Sequence, residues 1–193
     1  MVSYDRFRRA VEEVQKMDFS PSKVNFVVAI KVLGSMTKST WNKKIEVYQK
    51  WGLTKDEIFV AFKKRPWFMT ISEDKINGVM DFLVNEMGWE CSFITTNPLI
   101  ISLSLEKRIV PRCAVYQALL LKGLIKTKSF NLATFLSISE MMFIKKVLSY
   151  HGEGPELLNL YKEKLDLPNL LIVVRKEAPD LLKLYPEMQE LAK

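Results

Sequence analysis

An all-α solenoid of helical repeats about 32–35 residues long is the fold that this sequence predicts, with the hand of the superhelix, right or left, left open. Three observations carry the prediction. Hydrophobic residues make up 48% of the 193-residue chain and only seven residues are glycine, which argues against disorder and against a turn-rich β fold. Ser/Thr-x-x-Lys occurs at Thr40, Ser72 and Ser104, at two successive intervals of 32 residues. A turn residue followed by a bulky one recurs at Asp18-Phe19, Gly52-Leu53, Gly88-Trp89 and Gly123-Leu124, spaced by 34, 36 and 35.

The first element is an amphipathic helix that begins near Met1 and has acids by residue 13, which separates it from a signal or transit peptide. Each of Thr40, Ser72 and Ser104 can accept a hydrogen bond from an unpaired amide at a helix start. Glu73, Asp74 and Glu106 then suit the positive end of the helix dipole. The Thr40 unit fits its apolar positions slightly better at an offset of 31. Ile76, Val79, Met80, Leu83 and Val84 recur at three and four residues, so they share one face of the helix after Ser72. After each turn comes a second helix, clearest from Thr54 to Arg65, and its counterpart after Trp89 is shorter. Pro66-Trp-Phe-Met-Thr-Ile and Pro98-Leu-Ile-Ile-Ser-Leu end the second helices and lead into the next cap, and Pro111 is placed to kink the helix begun at Ser104. Trp41, Trp51, Trp67, Phe68, Phe82 and Trp89 fall at landmark positions and are assigned mainly to the interior.

The repeat array covers residues 1–165. Residues 166–193 form a helical C-terminal extension, because Glu153–Tyr161 recurs as Glu177–Tyr185 at a displacement of 24 that does not match the main period. A mildly acidic cap on the array is the reading taken, with a docking helix pair as the alternative.

Charge points to partners. Residues 1–150 hold 23 Lys/Arg against 14 Asp/Glu, whereas residues 151–193 hold 6 against 8. Lys31–Arg65 and Ile101–Tyr150 are the basic blocks, and Pro66–Ile100 between them is net acidic. Such blocks suit a polyanion, the alternative being lysines kept for solubility. Cys91 and Cys113 lack ligand partners at metal spacing and read as core thiols, and His151 reads as a surface turn residue. No glycine-rich phosphate loop, metal cluster or nucleophile elbow is present, so neither an enzyme, a cofactor nor a small-molecule substrate is expected. No run of 18 apolar residues occurs, which excludes a membrane-spanning helix.

The strings Ser39–Gly52, Pro66–Ile76 and Pro98–Arg112 resemble land-plant members of the mitochondrial transcription termination factor (mTERF) family over about residues 1–165. That resemblance implies repeats of two helices plus a short third one, wound around a basic groove for double-stranded nucleic acid. It implies an organellar address, mitochondrion before plastid, and a role in transcription or its termination, or in RNA processing such as intron splicing. The array is shorter than full-length members have.

Phosphate neutralisation is the expected mechanism, by Lys43, Lys44, Lys63, Lys64, Arg65, Lys75, Lys107, Arg108, Arg112, Lys145 and Lys146. Lys43, Lys75 and Lys107 would present one charge per repeat, and Arg65, Arg108 and Arg112 could read guanine edges bidentately. Double-stranded DNA is the leading partner of a monomer. RNA and a protein-binding scaffold are the rivals.

Overall fold

The computed structural model describes residues 4–127, 130–150 and 152–165, and among them it contains ten α-helices and no strand. The chain divides into two compact units, Met1–Ser102 and Leu103–Lys193. Helical repeats build both.

In the first unit, α1 (Tyr4–Lys16) turns at Asp18 into α2 (Val24–Ser35), and α3 (Lys38–Lys50) turns at Gly52 into α4 (Lys55–Lys64). The 3-10 turn Pro66–Thr70 follows, then α5 (Glu73–Asp81) with a π turn over Phe82–Glu86, the turn at Gly88, the short α6 (Ser92–Thr96) and a 3-10 turn at Ile100–Ser102. The turn residues Asp18, Gly52 and Gly88 have φ of 57°, 89° and 67°, a left-handed conformation that favours glycine because it has no Cβ to clash. In the second unit a π turn at Leu105–Ile109 leads into α7 (Val110–Leu121), and Gly123, at φ 67°, turns the chain. Next come α8 (Leu132–Ser137), α9 (Glu140–Leu148) and α10 (Gly154–Glu163), with Gly152 at φ 82° between the last two.

Helix starts follow from hydroxyl caps. Thr37, Ser72, Ser104 and Ser139 each accept a hydrogen bond from the amide three residues on, at 3.1, 3.4, 3.2 and 3.3 Å. The first of these corrects the expectation at Thr40, whose own amide is the donor to Thr37. The cap therefore lies one helical turn earlier, and Thr40, not Lys43, occupies the position that Lys75 and Lys107 hold in their repeats. Ser139 is a fourth cap outside the Ser/Thr-x-x-Lys pattern because Met142 stands where the lysine would be.

Pro111 has no amide to give the carbonyl four residues back. The chain accommodates it through the preceding π turn, where the Ile109 amide donates to the Ser104 carbonyl at 3.0 Å, so the helical path continues through the proline.

The core of the first unit is apolar side chains at helical spacing, among them Ile45, Tyr48, Ile58, Phe62, Phe68, Ile76, Val79 and Met80, all buried. Burying each side chain of this size stabilises the fold by about 1.5–3 kcal/mol. Tyr48 stacks on Phe68 with ring centroids 4.2 Å apart and donates its hydroxyl to the Phe68 carbonyl at 3.0 Å, fixing the 3-10 turn against α3. In the second unit Phe135, Phe143 and Tyr161 form a continuous aromatic cluster, with centroid separations of 4.8 and 4.6 Å. The second copy of the duplicated motif, Glu177–Tyr185, and the whole extension 166–193 lie outside the described residues, as does His151.

Candidate nucleic-acid interface

The eleven candidate cations fall into two groups once their ammonium and guanidinium groups are traced. Three of them close their own repeat. Lys44, buried on α3, donates to the Ile71 carbonyl at 2.5 Å. Half-buried Lys75, on α5, donates to the Ser102 carbonyl at 2.8 Å. Arg112, on α7, donates to the Phe135, Leu136 and Ile138 carbonyls at 3.2, 3.1 and 2.7 Å. In each case the acceptors lie at the end of the same repeat's second helix or link, one or two residues before the next cap at the nearest point. These carbonyls have no partner within their own short helix, and the cation supplies it.

Arg112 is the extreme case, with its side chain 0% exposed. Its guanidinium also meets the Glu140 carboxylate at 2.8 Å and lies 4.4 Å from the centre of the Phe143 ring. The other Glu140 oxygen accepts the Tyr161 hydroxyl at 2.6 Å. Burial, then the Glu140 charge, pushes the Tyr161 hydroxyl above its ordinary titration range, so it stays a donor. Arg112 cannot reach a phosphate or a guanine edge without dismantling this joint, and Lys44 is committed in the same way. Those two expectations are corrected by burial: both side chains are interior fasteners.

Seven of the remaining eight are exposed, and Arg108 is half-buried. Lys43 lies on α3, Lys107 and Arg108 on the π turn before α7, and Lys145 and Lys146 in the last turn of α9. Lys63, Lys64 and Arg65 end α4, where positive charge suits the carbonyl end of the helix. Lys64 reaches the Thr95 and Thr96 carbonyls only at 3.4 and 3.3 Å, and Lys63 stands 3.7 Å from Asp18. These are weak, solvent-screened contacts that a polyanion can replace.

The fold brings the α4 terminus to the start of α2, because the Asn25 side-chain amide donates to the Lys63 and Lys64 carbonyls at 3.1 and 2.9 Å. Lys31, on α2, sits 5.2 Å from the centre of the Trp67 ring. Trp67 is 40% exposed, which corrects its assignment to the interior. Sequence reasoning also missed a cleft of about 490 Å³ between α1, the end of α2 and the start of α3, lined by Arg6, Arg9, Lys38 and Trp41 with Glu13 as its one acid. Arginine at i and i+3 in the first helix is the signal that could have found it. Among the described residues no group of three His, Cys, Asp or Glu is placed to hold a metal ion, and no helix is long and apolar enough to cross a membrane. Cys91 and Cys113 are free thiols, and burial pushes the Cys113 thiol up to about 12.

Among curated proteins and among solved structures no match is found. The mTERF family model matches residues 5–144, well over half of the chain and across four of the left-handed turns described above. Members of that family are organellar helical-repeat proteins that bind nucleic acid. By this match, and by the helical repeats it spans, the chain belongs to the mTERF family.

Proposed function

We propose that this chain regulates organelle gene expression by holding the backbone of double-stranded DNA, acting in transcription or its termination, with the mitochondrion as its place of work. The proposed contacts are Lys43, Lys63, Lys64, Arg65, Lys107, Arg108, Lys145 and Lys146, with Lys75 as a contact only where it leaves the Ser102 carbonyl. The observation that carries this reading is the division among the eleven candidate cations: those not fastening their own repeat are exposed, apart from half-buried Arg108, and Lys63 and Lys64 make only weak contacts. Such charges displace counterions from a phosphate backbone and give affinity with little dependence on sequence. Binding is assigned to the array at 1–165, by a monomer.

The test is fluorescence anisotropy of the chain with labelled duplex DNA across a salt series. The triple variant Lys63→Ala, Lys64→Ala, Arg65→Ala should reduce the magnitude of the salt slope by at most about 2.7. Lys44→Met should leave the slope unchanged. A slope that ignores the triple variant removes the α4 terminus from the interface. Absence of binding to duplex DNA and to structured intron RNA at low salt would favour a protein-binding scaffold instead.

A further inference from the structure

We infer that the surface where α2 meets the Pro66–Thr70 turn is a stacking site for an unpaired nucleotide, with the base on Trp67 and flanking phosphates on Lys31 and Arg65. The inference rests on the nucleic-acid reading above and adds single-stranded nucleic acid to its ligands. Trp67 is the outward member of a turn whose other large residues, Pro66, Phe68 and Met69, are buried. The turn is fixed on several sides: Tyr48 stacks on Phe68, the Phe68 amide donates to the Arg65 carbonyl at 2.9 Å, and the Thr70 hydroxyl donates to the Trp67 carbonyl at 2.7 Å. An indole held outward on a rigid turn gives a base a platform without a further ordering cost.

Charge selects the occupant. The sequence has no acid from Phe19 to Ile45 and none from Ile58 to Ser72, and these are the segments that form the surface. Lys23, Lys31, Lys63, Lys64 and Arg65 lie within them, and the acid in contact is Asp18, 3.7 Å from Lys63. Lys31 now covers the ring at 5.2 Å. Stacking of a base on an aromatic ring is stronger than an exposed cation–π contact, so a base displaces the ammonium, and the flexible lysine stem carries it to the adjoining phosphate. Val24 and Val27, exposed by 78% and 63%, continue the α2 stripe that holds Lys31. They would also suit an acidic amphipathic helix, which is the competing outcome.

The experiment compares the full chain with blunt duplex and with the same duplex carrying a five-nucleotide single-stranded tail, in DNA and RNA versions. The tail should raise affinity about tenfold. Trp67→Leu should abolish that gain while leaving blunt-duplex affinity intact, and Trp67→Phe should keep most of it. Lys31→Met should lower the salt dependence of the gain by about 0.7, one single-strand phosphate. The DNA and RNA tails show which strand the site takes. A gain that is absent, or that survives in Trp67→Leu, overturns the site while leaving the duplex reading in place. Failure to bind any of these ligands overturns both. Binding of an acidic amphipathic peptide that Trp67→Leu abolishes, with no gain from either tail, reassigns the surface to a protein.

Discussion

The joints of the first unit and the joint of the second close the same span of chain with different chemistry. Lys44 and Lys75 each offer one ammonium to one carbonyl, 27 residues further on. Arg112 offers a planar guanidinium to three carbonyls and a carboxylate in an interior site. A lysine suits a joint that keeps some contact with solvent, because the remaining ammonium hydrogens can find water. A fully enclosed joint needs more donors in fixed directions and a counter-charge, which arginine with Glu140 provides. A cation that recurs at the repeat period is thus no evidence for a ligand until its burial is known. Of the lysines spaced by 32 residues, Lys75 fastens its repeat to the Ser102 carbonyl, whereas Lys43 and Lys107 are exposed.

This contrast is tested most severely at Arg112. Replacing it by Met leaves the Glu140 carboxylate partly buried without its cation and three carbonyls without donors, which should cost about 3–5 kcal/mol in urea denaturation. The double variant Arg112→Met, Glu140→Gln should recover part of that loss, since it removes the stranded charge and keeps an acceptor for the Tyr161 hydroxyl. Equal losses in the single and double variants would mean that carbonyl capping, and not charge pairing, dominates the joint.

At Lys44 the same substitution should cost about 1–2 kcal/mol, and at half-buried Lys75 less, because a single charged hydrogen bond is lost and no counter-ion is stranded. The ordering Arg112, Lys44, Lys75 is the comparison in measurable form. If Lys44→Met proves as damaging as Arg112→Met, the difference in burial and donor number is not what separates the two joints.

Much of the backbone plan was legible because it depends on local chemistry. Asp18, Gly52, Gly88 and Gly123 all adopt positive φ, as a tight helix-to-helix turn requires. Pro66 starts a 3-10 turn, and Ser72 and Ser104 cap the helices that they precede. The first cap was displaced because Thr37 and Thr40 are both competent acceptors one turn apart, and only the hydrogen bond distinguishes them. The site was less legible, since side-chain burial depends on partners far along the chain. Glu140 is 28 residues from Arg112, and Ser102 is 27 from Lys75. One local sign existed: Arg112 is the sole charged residue between Ile109 and Leu121, an apolar run in which a solvated arginine would be out of place. Trp67 shows the converse, for an apolar string led by proline gave no indication that its tryptophan faces outward.

The smallest effect belongs to the cap of α4, where a charge acts at an exposed site. The Thr54 hydroxyl accepts the Glu57 amide at 3.2 Å, and the Glu57 carboxylate accepts the Thr54 amide at 2.8 Å. Thr54→Ala should cost about 1 kcal/mol, and Glu57→Ala less, because its carboxylate is solvated. The Thr54 amide, and next its hydroxyl, hold the Glu57 carboxyl below its ordinary range. A carboxyl depressed in the folded state contributes stability that is fully present above the unfolded value of about 4.3 and is lost as pH falls through the lower folded value. The stability gap between the wild-type chain and Glu57→Ala, followed by denaturation from pH 7 into acid, should therefore be constant down to the carboxylate range and narrow below it. A gap that stays constant throughout would show that Glu57 acts through helix propensity and packing and not through its charge.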